Sequence, residues 1–269
     1  MSHSFAQRYI RFIAIISLIA VILIACNNNA ISNPPPPSAT LRPGVAPSAT
    51  PNFLATLSAG YQEATVQAFI AANPEIASSD EWPIAFADAF DADEDNWPVE
   101  PFDNEYVSGD QEISLGRYRW GVTAKQSSVW RVWPDADAVS DFYMSVEGQR
   151  ASGADNAQYG LIFRLDEDNN FYLFEIRENP AEFAFYVYYQ DEWVALIDYT
   201  ASAAIRRGVS NRVAISASGS DFAFFINDQF VAQAGDDRLL EGQVGLLVEL
   251  SAAGDQATFE FDNFELRAP

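Results

Sequence analysis

The chemistry open to this chain is narrow. Its one cysteine is Cys26 and its one histidine is His3. Between them they exclude, for the rest of the chain, a Ser-His-Asp or Cys-His arrangement, thiol redox chemistry and zinc held by His or Cys ligands. What remains is carboxylates, Arg, Tyr, Ser, Thr and the single Lys125, together with any metal that accepts oxygen ligands. Two stretches concentrate useful types. YGLIFRLDEDNNFYLFEIREN carries Arg164, Tyr172 and Glu175, and EFAFYVYYQDEW carries Tyr186, Tyr188, Tyr189 and Trp193. An Arg beside a Tyr hydrogen-bonds sugar hydroxyls while the ring stacks on a pyranose face, which is the chemistry of a glycan site. Tyr186 and Tyr188, two apart, point to one face of a strand and offer a platform. Each has a plainer reading beside it: Arg164 as a structural residue paired with Glu175 or Asp166, and the aromatics as core.

A third grouping is acidic. Asp88, Asp91, Asp93 and Asp95, with Asp262 far along the chain, cluster if the first and last strands neighbour each other, and would then suit a structural calcium ion, a hard cation that takes carboxylate and carbonyl oxygens. The alternative is ordinary turn and edge acids. No other cofactor is expected.

These residues must be positioned by strands. From about Glu81 the chain repeats short β-branched and aromatic runs separated by Gly, Asn, Asp and Ser clusters, the pattern of a many-stranded antiparallel sandwich. The runs are PIAFADAF, RYRWGVTA, SVWRVW, DFYMSVEGQ, YGLIFRL, FYLFEIR, EFAFYVYY, WVALIDY, RVAISAS, DFAFFIN, QFVAQA, QVGLLVEL and ATFEFDNFEL. Alternation about an acidic turn at 166–170 places Leu161, Phe163, Leu165, Phe171 and Leu173 on one face. Ile162, Arg164, Tyr172, Phe174 and Ile176 then lie on the other. Residues 81–269 form one all-β domain, and with no internal repeat a propeller or solenoid is not expected.

Before the domain the character differs. Residues 27–51 are rich in Pro, Ser, Ala, Thr and Asn, with PPPP at 34–37. Such a composition builds no core, so 26–58 reads as an extended linker. Ala, Leu, Gln and Glu then favour a short helix over 59–73, stopped by Pro74. At the start, Arg8 and Arg11 precede an apolar run, IAIISLIAVILIA, that ends at Cys26. This is the profile of an export signal, and it is shorter than the roughly 20 residues a permanent span wants.

Leu23, Ile24, Ala25 and Cys26 resemble the cleavage box of bacterial lipoproteins. That resemblance implies removal of 1–25 and lipid on Cys26, each buried CH₂ contributing roughly 0.8 kcal/mol to anchoring. The expected location is the extracytoplasmic face of a bacterial membrane, and the alternative is an uncleaved signal anchor. The net charge of −23, two units lower once Arg8 and Arg11 are removed, disfavours nucleic acid and anionic lipid surfaces as partners.

The order of pieces after Glu81 resembles the concanavalin A-like lectin and glucanase sandwich, in particular the branch with laminin G-like modules, sucrose- and levan-binding modules and the 3-keto-disaccharide hydrolase domain. The resembling pieces are AFADAFDADEDNW with Trp97, GRYRW, DFYMSVE, YGLIFRLDEDNNFYLFEIREN with Gly160 and Phe163, the NRVAISASGSDFAFFINDQFV hairpin with Asn227, GQVGLLVE and a closing FDNFEL. The resemblance implies an antiparallel jelly-roll. It also implies that a retaining glucanase of this kind would carry Glu, Asp and Glu at alternate strand positions, since two carboxylates about 5 Å apart must flank the bond. The nearest stretch, FEIREN, has Arg177 two positions after Glu175, and Glu178 falls on the opposite face. No catalytic residue is therefore assigned. The leading expectation is a non-catalytic carbohydrate-binding module using Arg164, Tyr172, Glu175, Tyr186, Tyr188 and Trp193, with a glycan or polysaccharide as partner. The alternatives are a 3-keto-disaccharide type glycoside hydrolase and a laminin G-like protein-binding module.

Overall fold

In a computed structural model of the protein, the described residues are 67–94 and 96–269. The expected signal segment, Cys26, the linker, residues 59–66 of the expected helix, and Asp95 lie outside them. Among the described residues no helix is long and apolar enough to cross a membrane. The strands in chain order are β1 (Ile84–Asp88), β2 (Phe102–Asp103), β3 (Val107–Ser114), β4 (Arg117–Ala124), β5 (Ser128–Val132), β6 (Phe142–Gly153), β7 (Gln158–Leu165), β8 (Phe171–Arg177), β9 (Glu182–Tyr189), β10 (Glu192–Ala201), β11 (Asn211–Ser218), β12 (Asp221–Ile226), β13 (Gln229–Gly235), β14 (Gln243–Leu250) and β15 (Gln256–Arg267).

They form two antiparallel sheets. A nine-stranded sheet runs β13-β12-β11-β6-β15-β4-β3-β2, with β1 paired to β15, and a six-stranded sheet runs β10-β9-β8-β7-β14-β5. Consecutive strands repeatedly enter different sheets, which makes the sandwich a jelly-roll and not a meander. Between the sheets lies an aromatic core. Phe174 and Phe185 from the six-stranded sheet each place their rings 4.6 Å from Phe224 of the other, and Phe163, Tyr172 and Phe185 all meet Phe222. Burying each such side chain contributes roughly 1.5–3 kcal/mol, so this face is fixed firmly toward the centre.

The β7–β8 register departs from simple alternation about the acidic turn. Phe163 pairs with Tyr172, Ile162 with Leu173 and Leu161 with Phe174. Leu161, Phe163, Tyr172, Phe174 and Ile176 therefore share the inward face, and Ile162, Phe171, Leu173 and Glu175 share the outward one. The connection is longer than the five acidic and amide residues that mark it, because Arg164 adopts φ +52 and takes part in a bulge opposite β14 between Gln243 and Gly245. One extra residue reverses the parity of everything beyond it. Leu165 thereby rejoins the outward face, packed with Ile162. The opposing backbone is close: a Cβ on Gly242, whose φ is +155, would lie 2.5 Å from the Arg164 carbonyl carbon.

The helical residues end where the sequence indicates. Residues 67–72 are helical, and Pro74 opens a new turn, α1 (Pro74–Ala77), a position where its missing N–H is not needed. Phe69 and Ile76 pack with Ala223, Phe225 and Phe230 on the outward face of the nine-stranded sheet, and the Ser79 and Ser216 hydroxyls lie 2.6 Å apart. The segment is a cover for that sheet.

Candidate functional site

The outward face of the six-stranded sheet gathers most of the chemistry. Its rows follow from the strand register. Phe171, Tyr188 and Trp193 sit side by side across β8, β9 and β10, and Leu173, Tyr186 and Ala195 form the next row. Beyond them Glu175 lies beside Gly160, and a last row runs Glu249, Gln158, Arg177 and Glu182 across β14, β7, β8 and β9. The face is thus apolar and aromatic at one end and polar at the other.

At the aromatic end Phe171, Leu173 and Tyr188 are buried with Val129, Ile162 and Leu247, and Trp133, Tyr186 and Trp193 cover them while remaining partly exposed. The Tyr186 ring centre is 6.3 Å from Trp193 and 6.2 Å from Tyr199. These three rings make a continuous, partly exposed aromatic strip along β9 and β10. Such rings offer apolar area with a polar handle at the edge. Buried Arg131 lies over Phe171 at 4.4 Å and donates to Asn169 Oδ1; burial lowers its pKa to about 9.

At the polar end, Glu175 is 1% exposed. Its Oε1 accepts a 2.8 Å hydrogen bond from the Tyr199 hydroxyl, which in turn receives Gln158 Nε2 at 2.7 Å. Glu249 sits beside Gln158 across β14 and β7, and Gln158 and Glu175 meet at the Tyr199 hydroxyl. Burial, and then the Glu249 charge, holds the Glu175 carboxyl protonated well above the usual carboxylate range. Burial likewise raises Glu249, to about 7, although its side chain is partly exposed. Arg177 supplies little compensation. Its guanidinium lies 3.8 Å from the Tyr199 ring centre, and both Nε and Nη2 donate to Glu182 Oε2.

Of the residues singled out in the sequence, Glu175, Tyr186, Tyr188 and Trp193 are brought onto this one face. Arg164 and Tyr172 are not. Arg164 is 0% exposed and donates to the carbonyls of Leu239, Ser140 and Gly219 at 2.9, 2.9 and 2.6 Å, with Phe222 beneath it. It ties three loops together at one end of the sandwich, bonding to backbone rather than to Glu175 or Asp166. Tyr172 points into the core; its hydroxyl donates to Asp236 at 2.6 Å and accepts from the Leu239 amide. Glu178 does face the interior, accepting from Tyr159 and from the Gly208 amide.

The sequence reading missed Gln158, Arg177, Tyr199, Glu249 and Arg131. A signal existed for one of them: Glu249 is the lone charge in QVGLLVEL, and an acid in an otherwise apolar strand needs a partner.

The acidic grouping behaves differently. The first and last strands do pair, Asp88 opposite Phe264. Asp88 Oδ1 accepts the Phe90 amide at 2.7 Å, and Asp262 forms an ion pair with Arg117. Among the described residues no three His, Cys, Asp or Glu side chains are grouped to hold a metal ion. Two further hollows lie on the nine-stranded sheet. One of about 220 Å³ lies under the helical cover beside Arg212. The other, of about 310 Å³, is a polar hollow over Gly109, Gly121 and Gly153. The first is lined by partly exposed Phe225 and Phe230 beside buried Ser79, and the lining of the second includes no aromatic ring.

Two stacked antiparallel sheets with this crossing order define the concanavalin A-like jelly-roll fold. Among solved structures, the chain is similar to a GlcNAcα1-4Gal releasing endo-β-galactosidase from Clostridium perfringens (TM-score 0.51, 11% identity, 70% of this chain and 63% of that one). It is also similar to LamAcat from Zobellia galactanivorans (0.50, 12%, 71% and 100%) and to a Bacillus subtilis protein of unknown function with a galectin-like fold (0.50, 10%, 68% and 95%). At these identities the likeness is one of fold. No family model and no curated protein matches the chain.

Proposed function

We propose that the domain is a non-catalytic carbohydrate-binding module, tethered to the outer face of a bacterial membrane through lipid on Cys26, and that it takes its glycan on the outward face of the six-stranded sheet. The observation that carries this reading is the partly exposed strip of Trp193, Tyr186 and Tyr199. It runs directly into polar groups held in place by buried hydrogen bonds. Rings stack on the apolar faces of pyranoses while hydroxyls and carboxyls meet the sugar's edges. Solved structures of the same fold include one named as a GlcNAcα1-4Gal releasing endo-β-galactosidase, which supports glycans as the ligand class.

One observation favours a second reading, a glycoside hydrolase: Glu175 and Glu249 are a carboxyl pair on this face. Either glycosidase mechanism needs both carboxyls open to the scissile bond, whereas Glu175 is 1% exposed. That burial supports the non-catalytic reading. The test is a broad glycan array probed with the full-length chain in detergent, with reducing-sugar release assayed on every glycan bound. Binding without release is expected. Release would replace this reading with the hydrolase, and an array with no binding would remove both.

A further inference from the structure

The polar end of the face collects acceptors without a cation to meet them. Glu175 Oε2 and Gln158 Oε1 are buried, with each residue 1% exposed, and neither oxygen has a donor. Gln158 belongs to the cluster: it pairs with Glu249 across β14 and β7 and meets Glu175 at the Tyr199 hydroxyl. The groups around it on each packed element are few. β8 contributes Arg177, which is engaged by Glu182 of β9 and by the Tyr199 ring. β9 adds Tyr186, β10 adds Asp198 and Tyr199, and β5 places the uncharged Val129 opposite Glu249. No lysine is near: Lys125 is paired with Asp103. The whole chain is strongly acidic.

We propose that Glu175, Glu249 and Gln158 form a subsite for the ammonium group of an amino sugar, a proposal that rests on the glycan reading of the same face. Two carboxyls and an amide oxygen offer three acceptors, and an ammonium brings three donors. Glu249 is the partly exposed member, so the group enters from its side while the sugar ring lies on Tyr186 and Tyr199. In the free protein burial favours the protonated form of Glu175. When a sugar enters as its ammonium form, that proton leaves to solvent and the site holds two carboxylates against the bound cation and its neighbours, so charge balances. The acidic surroundings that disfavour anionic ligands favour this one.

The experiment uses the full-length chain in detergent near neutral pH and at physiological salt, where a Debye length of about 8 Å screens diffuse attraction. It compares β-1,4-linked tetrasaccharides of glucosamine, N-acetylglucosamine and glucose by calorimetry. The glucosamine probe is expected to bind at least about tenfold more tightly than the glucose probe, with about one proton released per site, read from the dependence of the heat on buffer. In Glu249→Gln that preference is expected to collapse toward equality while the melting temperature stays near that of the wild type. Failure of the glucosamine probe to bind, equal binding of the probes, or a preference that survives in Glu249→Gln would overturn the proposal. The glycan reading falls separately, only if the whole array is blank.

Discussion

Arg164 shows how a single residue's chemistry can be read correctly and its place misjudged. A guanidinium beside a tyrosine serves sugar recognition or structure equally well, and here Nη1 and Nη2 donate to three backbone carbonyls. Replacing it by Ala strands those buried acceptors, so Arg164→Ala is expected to lower stability by on the order of 3–5 kcal/mol, measured by urea unfolding. Glycan affinity per folded molecule is expected to stay unchanged; an affinity loss with full stability would return Arg164 to the site. Glu249 makes a pH prediction. Its pKa is near 4.5 when unfolded and raised to about 7 when folded. The folded state therefore binds more protons between those values, and stability falls as pH rises through them. Thermal melts of the wild type should decline across that window, and those of Glu249→Gln should be flatter. A wild type whose stability rises there would show that the pair is not protonated in the fold.

At the scale of elements, much was legible and the misses have physical causes. The thirteen aromatic and β-branched runs all became strands. β3, VSGDQEIS, escaped notice because it lies next to the nine-stranded sheet's edge strand β2, where alternate positions are exposed and polar. The faces of β7 and β8 were misassigned because the bulge at Arg164 depends on contact with β14, which is almost eighty residues away and leaves no local mark. The candidate site was half legible for the same reason: Tyr186, Tyr188 and Trp193 lie on two adjacent strands, whereas Glu249 joins Glu175 only through the pairing of β14 with β7. That close pairing also makes Gly160 sensitive. A Cβ there would lie 2.1 Å from the Phe174 carbonyl oxygen, so Gly160→Ala is expected to cost more than about 2 kcal/mol in urea unfolding. A neutral result would mean that β7 and β8 are less tightly apposed.

For the whole molecule, the two sheet faces divide the work. The helical cover at 67–77 is docked on the outward face of the nine-stranded sheet. The aromatic strip lies on the opposite sheet. The account predicts metabolic labelling of the full-length protein by palmitate in a bacterial host and its loss in Cys26→Ser; an unlabelled wild type would remove the anchor and leave the domain's fold untouched.

The account stands or falls on the aromatic strip. The most direct measurement is a binding isotherm for the glycan found on the array, comparing the wild type with Trp193→Ala, whose ring is partly exposed and whose loss is expected to leave folding intact. The account predicts at least about a tenfold loss of affinity, the scale of one stacked ring, with an unchanged melting temperature. Undiminished affinity in a folded Trp193→Ala would place the glycan elsewhere and contradict it.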